Sequence, residues 1–381
     1  MAKVPNFVDV MKKVNIYLVA AAIVLLAACG RNERVTPLSE QIDSIVGSVF
    51  PDSLPGAAVL VMQGDSVLVE RCYGLADMET REPVTPETNF CIASVSKQFA
   101  ALALLQLVEQ GKVSLDDPLR KFFGSWPSAM LDSVRVRHIL SHTSGIPDAR
   151  PRSDRDFVLH ATDVASAQYI ATLDSLRFSP GTQYEYINPT FQLIYQIIPA
   201  VTGVDFETYV RDHLLKPAGM KHTTYFEAGR PIEKMAHGYE WNDSLQRYVE
   251  YDYDEETFFA TKADGGLYTS VREFALWERA LRDGKIVSDS TLRLAYTPAI
   301  SIPENANYGY QPDTGYGYGF FVQQPADGSD TVVYHTGDNG GFTIYAGKIP
   351  QRNITVMLFS TRNDIDRMGM VNAILKLLKE N

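Results

Sequence analysis

The pattern of apolar side chains in the first part of the chain predicts a helix followed by a β-hairpin. In segment 39–49 every third or fourth residue is apolar, which is the spacing of an amphipathic helix. The runs 57–62 and 66–72 are rich in strand-forming residues and flank the turn signal Gln63-Gly64-Asp65. The body of the chain is therefore expected to begin with a helix and two antiparallel strands.

The segment from Ser94 to Gly111 is apolar on nearly every side of a helix. A helix with this pattern is typical of a protein core, because a surface helix keeps one polar face. Gly111 is a suitable helix end, since glycine tolerates the left-handed conformation found there. We expect a central buried helix in this part of the chain.

The region from 113 to 261 has a different pattern. It is rich in Tyr, Pro and Asp and shows no strand alternation of any length. Loops and short helices are expected here.

Strand-like patterns return in the last part of the chain. Ser270 and Glu273 form a capping box that predicts a helix through Leu281. Three β-rich runs, joined by short polar or glycine-rich turns, then predict an antiparallel meander: 331–335, 342–348 and 354–359. A final helix is expected over 371–378.

These elements predict an α/β (α+β) fold in which one antiparallel sheet is built from both ends of the chain. Helices would cover both faces of the sheet, and a mainly helical subdomain, roughly 113–261, would be inserted into it. The catalytic or binding domain would then span residues 38–381.

The N-terminus predicts a targeting segment. Lys12 and Lys13 precede an apolar run over 14–28, which has the layout of a secretory signal. The small residues just before Cys29 resemble a bacterial lipoprotein cleavage box, which implies removal of 1–28 and lipid attachment to Cys29. A plain signal peptide with an incidental cysteine is the alternative. Residues 29–37 would form a polar tether on an exported, membrane-anchored protein facing the periplasm or the cell exterior.

Composition narrows the classes of partner. The 381 residues carry a net charge of −11 and show no basic stripe, which argues against nucleic acid because phosphate contacts need clustered Lys and Arg. Cys72 and Cys91 lack ligand partners at metal spacing, so no zinc site is predicted. The two cysteines form either a disulfide or two free thiols, and the sequence leaves both possibilities and the oligomeric state open.

Ser94 and Lys97 are the first candidates for catalysis. Residues three apart share one face of a helix, so a hydroxyl and an amine would meet at the helix start. Burial and the positive end of the helix disfavour a charged lysine, and a neutral amine can take the serine proton. The structural alternative is Ser94 as a helix cap and Lys97 extended to solvent.

Two further candidates lie far along the sequence. Tyr186 precedes a predicted helix start at Asn188-Pro189, and a phenol near an amine can act as acid or base. His335-Thr336-Gly337 ends a predicted strand, where a histidine can bind an anion or relay a proton. His142 and Ser144 lie in a predicted helix end and turn, which favours a structural role for both.

Together these motifs resemble those of class C serine β-lactamases and of the related penicillin-binding carboxypeptidases and esterases. The resemblance covers roughly 38–380 and is carried, in order, by these stretches: 92–97, 137–145, 180–181 with 186–188, 217–220, 265–267 and 335–337.

The resemblance implies a role for each matching residue. Ser94 would be the acylated nucleophile, Lys97 its partner, and Tyr186 a second proton-transfer group. Asn188 would contact the substrate amide. The backbone N–H groups of Ser94 and Asp338 would hold the oxyanion, and no cofactor or metal would be needed.

One departure from the family pattern bears on the substrate. His335 stands where the β-lactamases of this class usually carry Lys, and His335 and Thr336 would face the substrate carboxylate or acyl group. A histidine of ordinary pKa is mostly neutral at neutral pH and is a weaker anchor than lysine. A small peptide or ester is therefore favoured over a β-lactam as substrate. A class C-like β-lactamase and a non-catalytic protein that binds cell-wall peptides remain the alternatives.

Overall fold

The computed structural model describes residues 36–151, 154, 157, 161–227, 229–251, 261–303 and 311–380. The predicted signal segment 1–28 and its Cys29 lie outside these residues. Within the described ranges, every helix is too short or too polar to span a bilayer.

An eight-stranded antiparallel sheet forms the centre of the molecule, and three small sheets accompany it. The described strands are β1 Ala57–Gln63, β2 Ser66–Tyr73, β3 Leu75–Asp77, β4 Glu82–Pro83, β5 Phe90–Cys91, β6 Thr224–Tyr225, β7 Tyr239–Asn242, β8 Arg247–Glu250, β9 Leu267–Thr269, β10 Ile300–Ser301, β11 Thr314–Tyr316, β12 Phe321–Gln323, β13 Val332–Asn339, β14 Phe342–Ile349 and β15 Ile354–Ser360. The strand order of the large sheet is β10-β11-β12-β13-β14-β15-β1-β2.

The sheet joins the two ends of the chain, as the sequence predicts. β1 pairs with β2 on one side and with the C-terminal strand β15 on the other, where Val59 lies opposite Leu358. Alternate side chains of β1 enter different cores: Leu60 packs on one face of the sheet and Val59 on the other. Helices cover both faces, and the predicted fold class is confirmed.

The described α-helices are α1 Leu38–Val46, α2 Lys97–Glu109, α3 Val136–Leu140, α4 Asp163–Ala171, α5 Asn188–Gln192, α6 Ile194–Thr202, α7 Phe206–Val210, α8 Lys216–Ala218, α9 Val271–Arg282, α10 Asp289–Ala295 and α11 Arg367–Glu380. The predicted central helix consists of a 3₁₀ turn, Ala93–Ser96, followed directly by α2, whose residues from Lys97 to Leu107 are all buried. α1 and α11 pack on the opposite face of the sheet from α2 and α9.

The middle region contains the expected short helices and also strands that the sequence pattern did not predict. β7 and β8 form a hairpin in which the rings of Trp241 and Tyr248 lie 5.2 Å apart. β6 belongs to the small sheet β5-β9-β6, which ties the region to the turn before Ser94. Strands of two to four residues are too short to show alternation, so their pairing is visible only in three dimensions.

The two described cysteines are both free thiols. Cys72 lies half-buried on β2 and Cys91 is fully buried on β5. Burial raises the pKa of each thiol to about 12, so neither is a reactive thiolate at neutral pH.

Candidate active site

Ser94 lies in the tight turn that begins the central helix. Ala93, immediately before it, has a positive φ of 44°, a conformation that costs a non-glycine residue about 1–2 kcal/mol. This turn brings Ser94 to the first turn of the 3₁₀ segment, where backbone N–H groups have no partner within the helix. Ser94 is half-buried, whereas the flanking Ala93 and Val95 are buried.

The Lys97 ammonium lies directly behind Ser94. Lys97 is fully buried, and its Nζ is 3.0 Å from Ser94 Oγ and 2.9 Å from the carbonyl oxygen of Asp264. The helical spacing therefore brings the two predicted residues into hydrogen-bond contact, and neither alternative role, the capping serine or the solvent-exposed lysine, applies here. Ser94 makes no side-chain cap on the helix, and Lys97 does not reach solvent.

The environment of Lys97 lowers its pKa from 10.5 to about 8. Burial is the main cause, because a charged amine loses hydration in the interior, and the Arg150 charge lowers the pKa further. The Asp264 carboxylate opposes both effects. A substantial fraction of Lys97 is therefore neutral at mildly alkaline pH and able to accept the Ser94 proton.

Tyr186 packs against the same lysine. The centroid of its ring lies 5.0 Å from Lys97 Nζ and 4.2 Å from the ring centroid of His142. His142 is buried, and its Nδ1 accepts a hydrogen bond from the backbone N–H of Ile187 at 3.2 Å. Burial keeps the pKa of His142 well below its ordinary value, so this histidine is a neutral support for the Tyr186 segment.

A cavity of about 330 Å³ opens in front of Ser94. Among the residues that line it are Ser94, Arg150, Asn188, Asp264, Gly265 and Asp338. Three of the residues assigned from the sequence, Ser94, Asn188 and Asp338, thus come from distant segments to one cavity. The side-chain oxygen of Asn188 has no hydrogen-bond partner among the described residues.

His335 is placed differently from the expectation that it faces the substrate. It is 1% exposed and is not among the described residues that line the cavity. Its Nδ1 lies 2.6 Å from the Thr336 carbonyl, which only accepts, so Nδ1 carries the hydrogen and Nε2 accepts from the Tyr316 hydroxyl at 3.0 Å. Burial and then the Lys97 charge lower the pKa of His335 to about 3. This placement corrects the direct-anchor interpretation, because a buried neutral ring with both nitrogens engaged cannot bind a carboxylate.

β13 lies directly against the Ser94 turn because Gly337 has no side chain. A Cβ at Gly337 would lie 2.4 Å from the Ile92 carbonyl oxygen and 3.2 Å from the Ser94 backbone nitrogen. The next residue, Asp338, lies at the cavity, and its carboxylate pairs with Arg367 at 2.8 Å. Thr336 is half-buried and, like Gly337, is not among the described lining residues.

A second layer of polar residues holds the segment that positions Lys97. Gln192 donates from its side-chain amide to the Asp264 carboxylate at 3.2 Å. The buried carboxylate of Asp163 accepts the backbone N–H groups of Lys262 and Ala263 at 2.6 and 2.9 Å. Burial and the Asp264 charge raise the pKa of Asp163 to about 8. Among the described residues, no group of three or more His, Cys, Asp and Glu side chains is arranged so that it could hold a metal ion.

The match to a known family covers most of the chain. The family model described as Beta-lactamase matches residues 46–379. This chain belongs to the beta-lactamase family. The resemblance predicted from the six sequence motifs is thus confirmed over nearly the whole predicted domain.

Curated relatives of this beta-lactamase family chain include penicillin-binding proteins. The putative penicillin-binding protein PbpX of Bacillus subtilis (strain 168) is 27% identical over 326 residues, which are 85% of this chain and 75% of the relative. The chain matches three curated relatives over 42%, 75% and 68% of their own lengths.

Solved structures share the fold. The octameric penicillin-binding protein homologue from Pyrococcus abyssi has a TM-score of 0.75 and 28% identity, covering 90% of this chain and 77% of that chain. The D-amino acid amidase from Ochrobactrum anthropi SV3, complexed with D-phenylalanine, has a TM-score of 0.73 and 25% identity, covering 91% and 99%.

Sequence reasoning missed several residues of this beta-lactamase family site. Arg150 and Asp163 lie in no recognised motif, and the Asp264 carbonyl is part of a backbone passage whose partner is 167 residues away. His142 was assigned a structural role but not its contact with Tyr186. Only the folded chain brings these groups to Lys97, so no local pattern marks them.

Proposed function

We propose that this chain is a serine hydrolase that forms an acyl-enzyme on Ser94 with a peptide, amide or ester substrate in the cell envelope. The observation that supports this most is the 3.0 Å contact between Ser94 Oγ and the fully buried Lys97 amine. If Ser94 and Lys97 had only a structural role, nothing would require the lysine to be buried beside a cavity with a lowered pKa.

The hydrogen bonds of Lys97 suggest how Ser94 is activated. A neutral amine has two N–H bonds and one lone pair. The Asp264 carbonyl accepts one N–H at 2.9 Å, and the lone pair is then free to face Ser94 Oγ, which lies 3.0 Å from Nζ. As Ser94 Oγ attacks the substrate carbonyl carbon, its proton passes to Lys97 Nζ and a tetrahedral oxyanion forms.

The remaining steps use groups around the cavity. The backbone N–H groups of Ser94 and Asp338 are proposed to stabilise the oxyanion, since β13 and the Ser94 turn lie side by side. The bond to the leaving amine or alcohol then breaks, and Tyr186 relays the proton from Lys97 to it. Water, activated by the same two groups, hydrolyses the acyl-Ser94 ester.

Two observations favour peptides, amides and esters over β-lactams. His335 is neutral and buried, so β13 presents no cationic side chain to the carboxylate of an antibiotic. Asn188 lines the cavity, and its buried side-chain oxygen, which has no hydrogen-bond partner among the described residues, suits the N–H of an amide substrate. The similarity to a D-amino acid amidase agrees with this preference.

Covalent labelling tests the proposal. Wild-type protein incubated with a fluorescent fluorophosphonate should become labelled, and the Ser94→Ala variant should not. Absence of labelling in the wild type, under conditions that label a known serine hydrolase, would favour a non-catalytic binding protein. Labelling that persists in Ser94→Ala would show that another residue is the nucleophile.

The substrate is resolved by comparing kcat/KM across β-lactams, D-amino-acid peptides and amides, and short esters. The proposal expects the highest values among the peptides, amides or esters. A clear preference for β-lactams would instead establish the β-lactamase alternative.

We also propose that the mature protein is tethered to a membrane through lipid on Cys29. The support is the residue pattern of 1–29 alone. The Cys29→Ser variant should move from the membrane fraction to the soluble fraction after cell lysis. Retention in the membrane fraction would point to another means of attachment.

A further inference from the structure

His142 belongs to a sequence motif that takes no part in the mechanism proposed above. It is 1% exposed, and it is not among the described residues that line the cavity in front of Ser94. Its backbone has a positive φ of 55°, which is uncommon for a residue with a side chain. A buried polar ring in such a conformation points to a specific task for the residue.

His142 holds the backbone on both sides of Tyr186. The His142 carbonyl accepts the backbone N–H of Glu185 at 2.9 Å, and Nδ1 of its ring accepts that of Ile187 at 3.2 Å. The ring itself packs against the Tyr186 ring, with centroids 4.2 Å apart and planes inclined by 34°. One residue therefore fixes Tyr186 through three contacts, two with its neighbours in the chain and one with its ring.

The hydrogen bond from Ile187 defines the form of the His142 ring. Nδ1 must carry a lone pair to accept an N–H, so the neutral ring bears its hydrogen on Nε2. A protonated ring would carry hydrogen on Nδ1 as well and would lose this bond. Burial, and after it the Lys97 charge, keeps the pKa of His142 well below its ordinary value, so the accepting form persists.

The turn that carries His142 is itself anchored to the segment before Tyr186. The Thr143 carbonyl accepts the backbone N–H of Gly181 at 2.8 Å, and the Gly145 carbonyl accepts that of Arg177 at 2.8 Å. These bonds fix the turn relative to the chain that leads to the tyrosine. The histidine is thus held firmly enough to hold another side chain in place.

The tyrosine that His142 fixes lies against Lys97. Lys97 Nζ is 5.0 Å from the centroid of the Tyr186 ring and 5.8 Å from that of the Phe191 ring. The His142 ring contacts both of these rings, with centroid distances of 4.2 and 4.8 Å. Removing the His142 ring would therefore free the phenol to move relative to the amine, and proton transfer depends steeply on such distances.

We propose that His142 is the positioning residue for proton transfer by Tyr186. During acylation the Tyr186 hydroxyl gives its proton to the leaving nitrogen or oxygen as the bond to the acyl carbon breaks. It takes up in exchange the proton that Lys97 received from Ser94. This inference rests on the proposed hydrolase function and deepens it, because it assigns the residue that holds the proton donor of the leaving-group step.

Leaving groups that differ in their need for a proton test this role. The substrates share one acyl group, carried as an amide and as a p-nitrophenyl ester. An amine departs only after protonation, whereas p-nitrophenolate departs without it. His142→Ala should lower kcat/KM, which reports acylation, about 10- to 100-fold more for the amide than for the ester. Tyr186→Phe should show the same selectivity to a larger degree, because it removes the hydroxyl itself.

Fluorophosphonate titration of Ser94 gives the concentration of folded, reactive enzyme in each variant. Fluoride departs without a proton, so the titration does not depend on the step under test. Values of kcat/KM divided by this concentration are independent of any unfolded fraction. Equal losses for amide and ester in His142→Ala would indicate a structural role and overturn the proposal. A Tyr186→Phe variant without selectivity would also overturn it, since Tyr186 would then not be the proton donor.

His142→Asn is the conservative substitution. Asparagine tolerates a positive φ, and its Oδ1 can replace Nδ1 as the acceptor for the Ile187 N–H. It should restore part of the amide activity that His142→Ala loses. If His142→Ala does not fold, His142→Asn decides alone: without the ring it should still lose more activity toward the amide than toward the ester, and equal losses would overturn the proposal.

A second histidine provides the matched control. The His213 ring also packs against a tyrosine, Tyr209, with centroids 4.4 Å apart and planes inclined by 32°, and it is not among the described lining residues. His213→Ala should leave the ratio of amide to ester kcat/KM as in wild type. A change as large as that in His142→Ala would overturn the proposal, because the effect would then not depend on contact with Tyr186.

Labelling of wild type separates this proposal from the proposed function. If Ser94 is not labelled by the fluorophosphonate, the hydrolase function itself has failed. If Ser94 is labelled but neither substrate is hydrolysed, the rates of labelling by a phenyl and a p-nitrophenyl phosphonate ester take their place. A greater loss for the phenyl ester in His142→Ala or His142→Asn supports the role of His142, and equal losses overturn it.

Discussion

At the scale of single residues, the function depends on the charge state of Lys97. The lysine is fully buried, and its Nζ lies 3.0 Å from Ser94 Oγ and 2.9 Å from the Asp264 carbonyl oxygen. A lysine of ordinary pKa would stay protonated and could not accept the Ser94 proton. The lowered pKa of Lys97, about 8, removes this obstacle.

The rate of Ser94 acylation is therefore expected to increase with pH. Below the Lys97 pKa of about 8 the rate should rise about tenfold per pH unit, and above it the rate should level off, because only the neutral amine acts as the base. The rate of labelling by a neutral ester or fluorophosphonate, followed across this range, measures the effect. Lys97→Arg should lack the rise and be nearly inactive throughout, since its guanidinium does not deprotonate. A flat wild-type profile would contradict the assignment of Lys97 as base.

Tyr316 is expected to matter for stability through His335. Tyr316→Phe removes the hydroxyl that donates to the buried Nε2 of His335 at 3.0 Å. Leaving this acceptor unpaired should lower the free energy of unfolding by about 1–3 kcal/mol, as measured by urea denaturation. Because the pKa of His335 is about 3, the loss should be the same at weakly acidic and at neutral pH. A loss that varies strongly over that range would mean that His335 titrates there.

At the scale of elements, the site is formed where β13 lies against the 3₁₀ turn Ala93–Ser96. The strand comes close enough to the turn only at a residue without a side chain, which is Gly337. Asp338, next along β13, thereby reaches the cavity in which Ser94 lies. The packing of these two elements sets the distance between the nucleophile and the facing strand.

Gly337→Ala should disturb this packing directly. The added methyl group would lie 2.4 Å from the Ile92 carbonyl oxygen, so the strand must move away from the Ser94 turn. A displacement of this kind should reduce the acylation rate about 100-fold or more, with a smaller cost in stability of about 1–3 kcal/mol. Gly124→Ala is a suitable control, because its Cβ would meet only the Arg120 carbonyl oxygen at 3.5 Å. Full activity of a folded Gly337→Ala protein would show that β13 need not lie so close.

At the scale of the whole molecule, the active site lies between the large sheet and the mainly helical region, with Lys97 in the central core. Burying an amine there lowers the stability of the fold. The pKa of Lys97 is lowered from 10.5 to about 8, which corresponds to a cost of about 3 kcal/mol when the unfolded chain carries the proton. Such a cost is typical of active sites, where function and stability conflict.

Lys97→Met should consequently stabilise the protein while abolishing acylation. Below about pH 8, the pKa of Lys97 in the folded protein, wild type bears the full cost of burying the charged amine. Between about pH 8 and pH 10.5 the amine is neutral in the folded protein but still protonated in the unfolded chain, so raising the pH disfavours the unfolded state and increases wild-type stability. The gain from Lys97→Met, about 1–3 kcal/mol after loss of the lysine hydrogen bonds, should thus be largest at neutral pH and shrink toward pH 10.5. Urea denaturation at the two pH values measures it. Ser94→Ala, which leaves the amine in place, should show no such shrinkage, and a constant gain for Lys97→Met would contradict the lowered pKa.

The sequence by itself determined the features that depend on neighbouring residues. Helical spacing joined Ser94 to Lys97, and runs of strand-forming residues between turn signals predicted the hairpin β1–β2 and the meander β13–β15, because each of these patterns lies within a few residues. The order of the motifs also identified the family. The residue types and their order along the chain were enough for the reaction class that we propose.

Only the tertiary structure decided the properties to which residues from distant segments contribute. The pKa of Lys97 depends on burial and on the charges of Asp264 and Arg150, which lie far from it in sequence. His335 was expected at the substrate, but it is buried beside Tyr316 of another strand, and burial together with the Lys97 charge lowers its pKa to about 3 and keeps it neutral. Arg150 reaches the cavity from a segment with no motif. Electrostatic environment and burial are set by everything that surrounds a group, and a linear pattern contains only its neighbours along the chain.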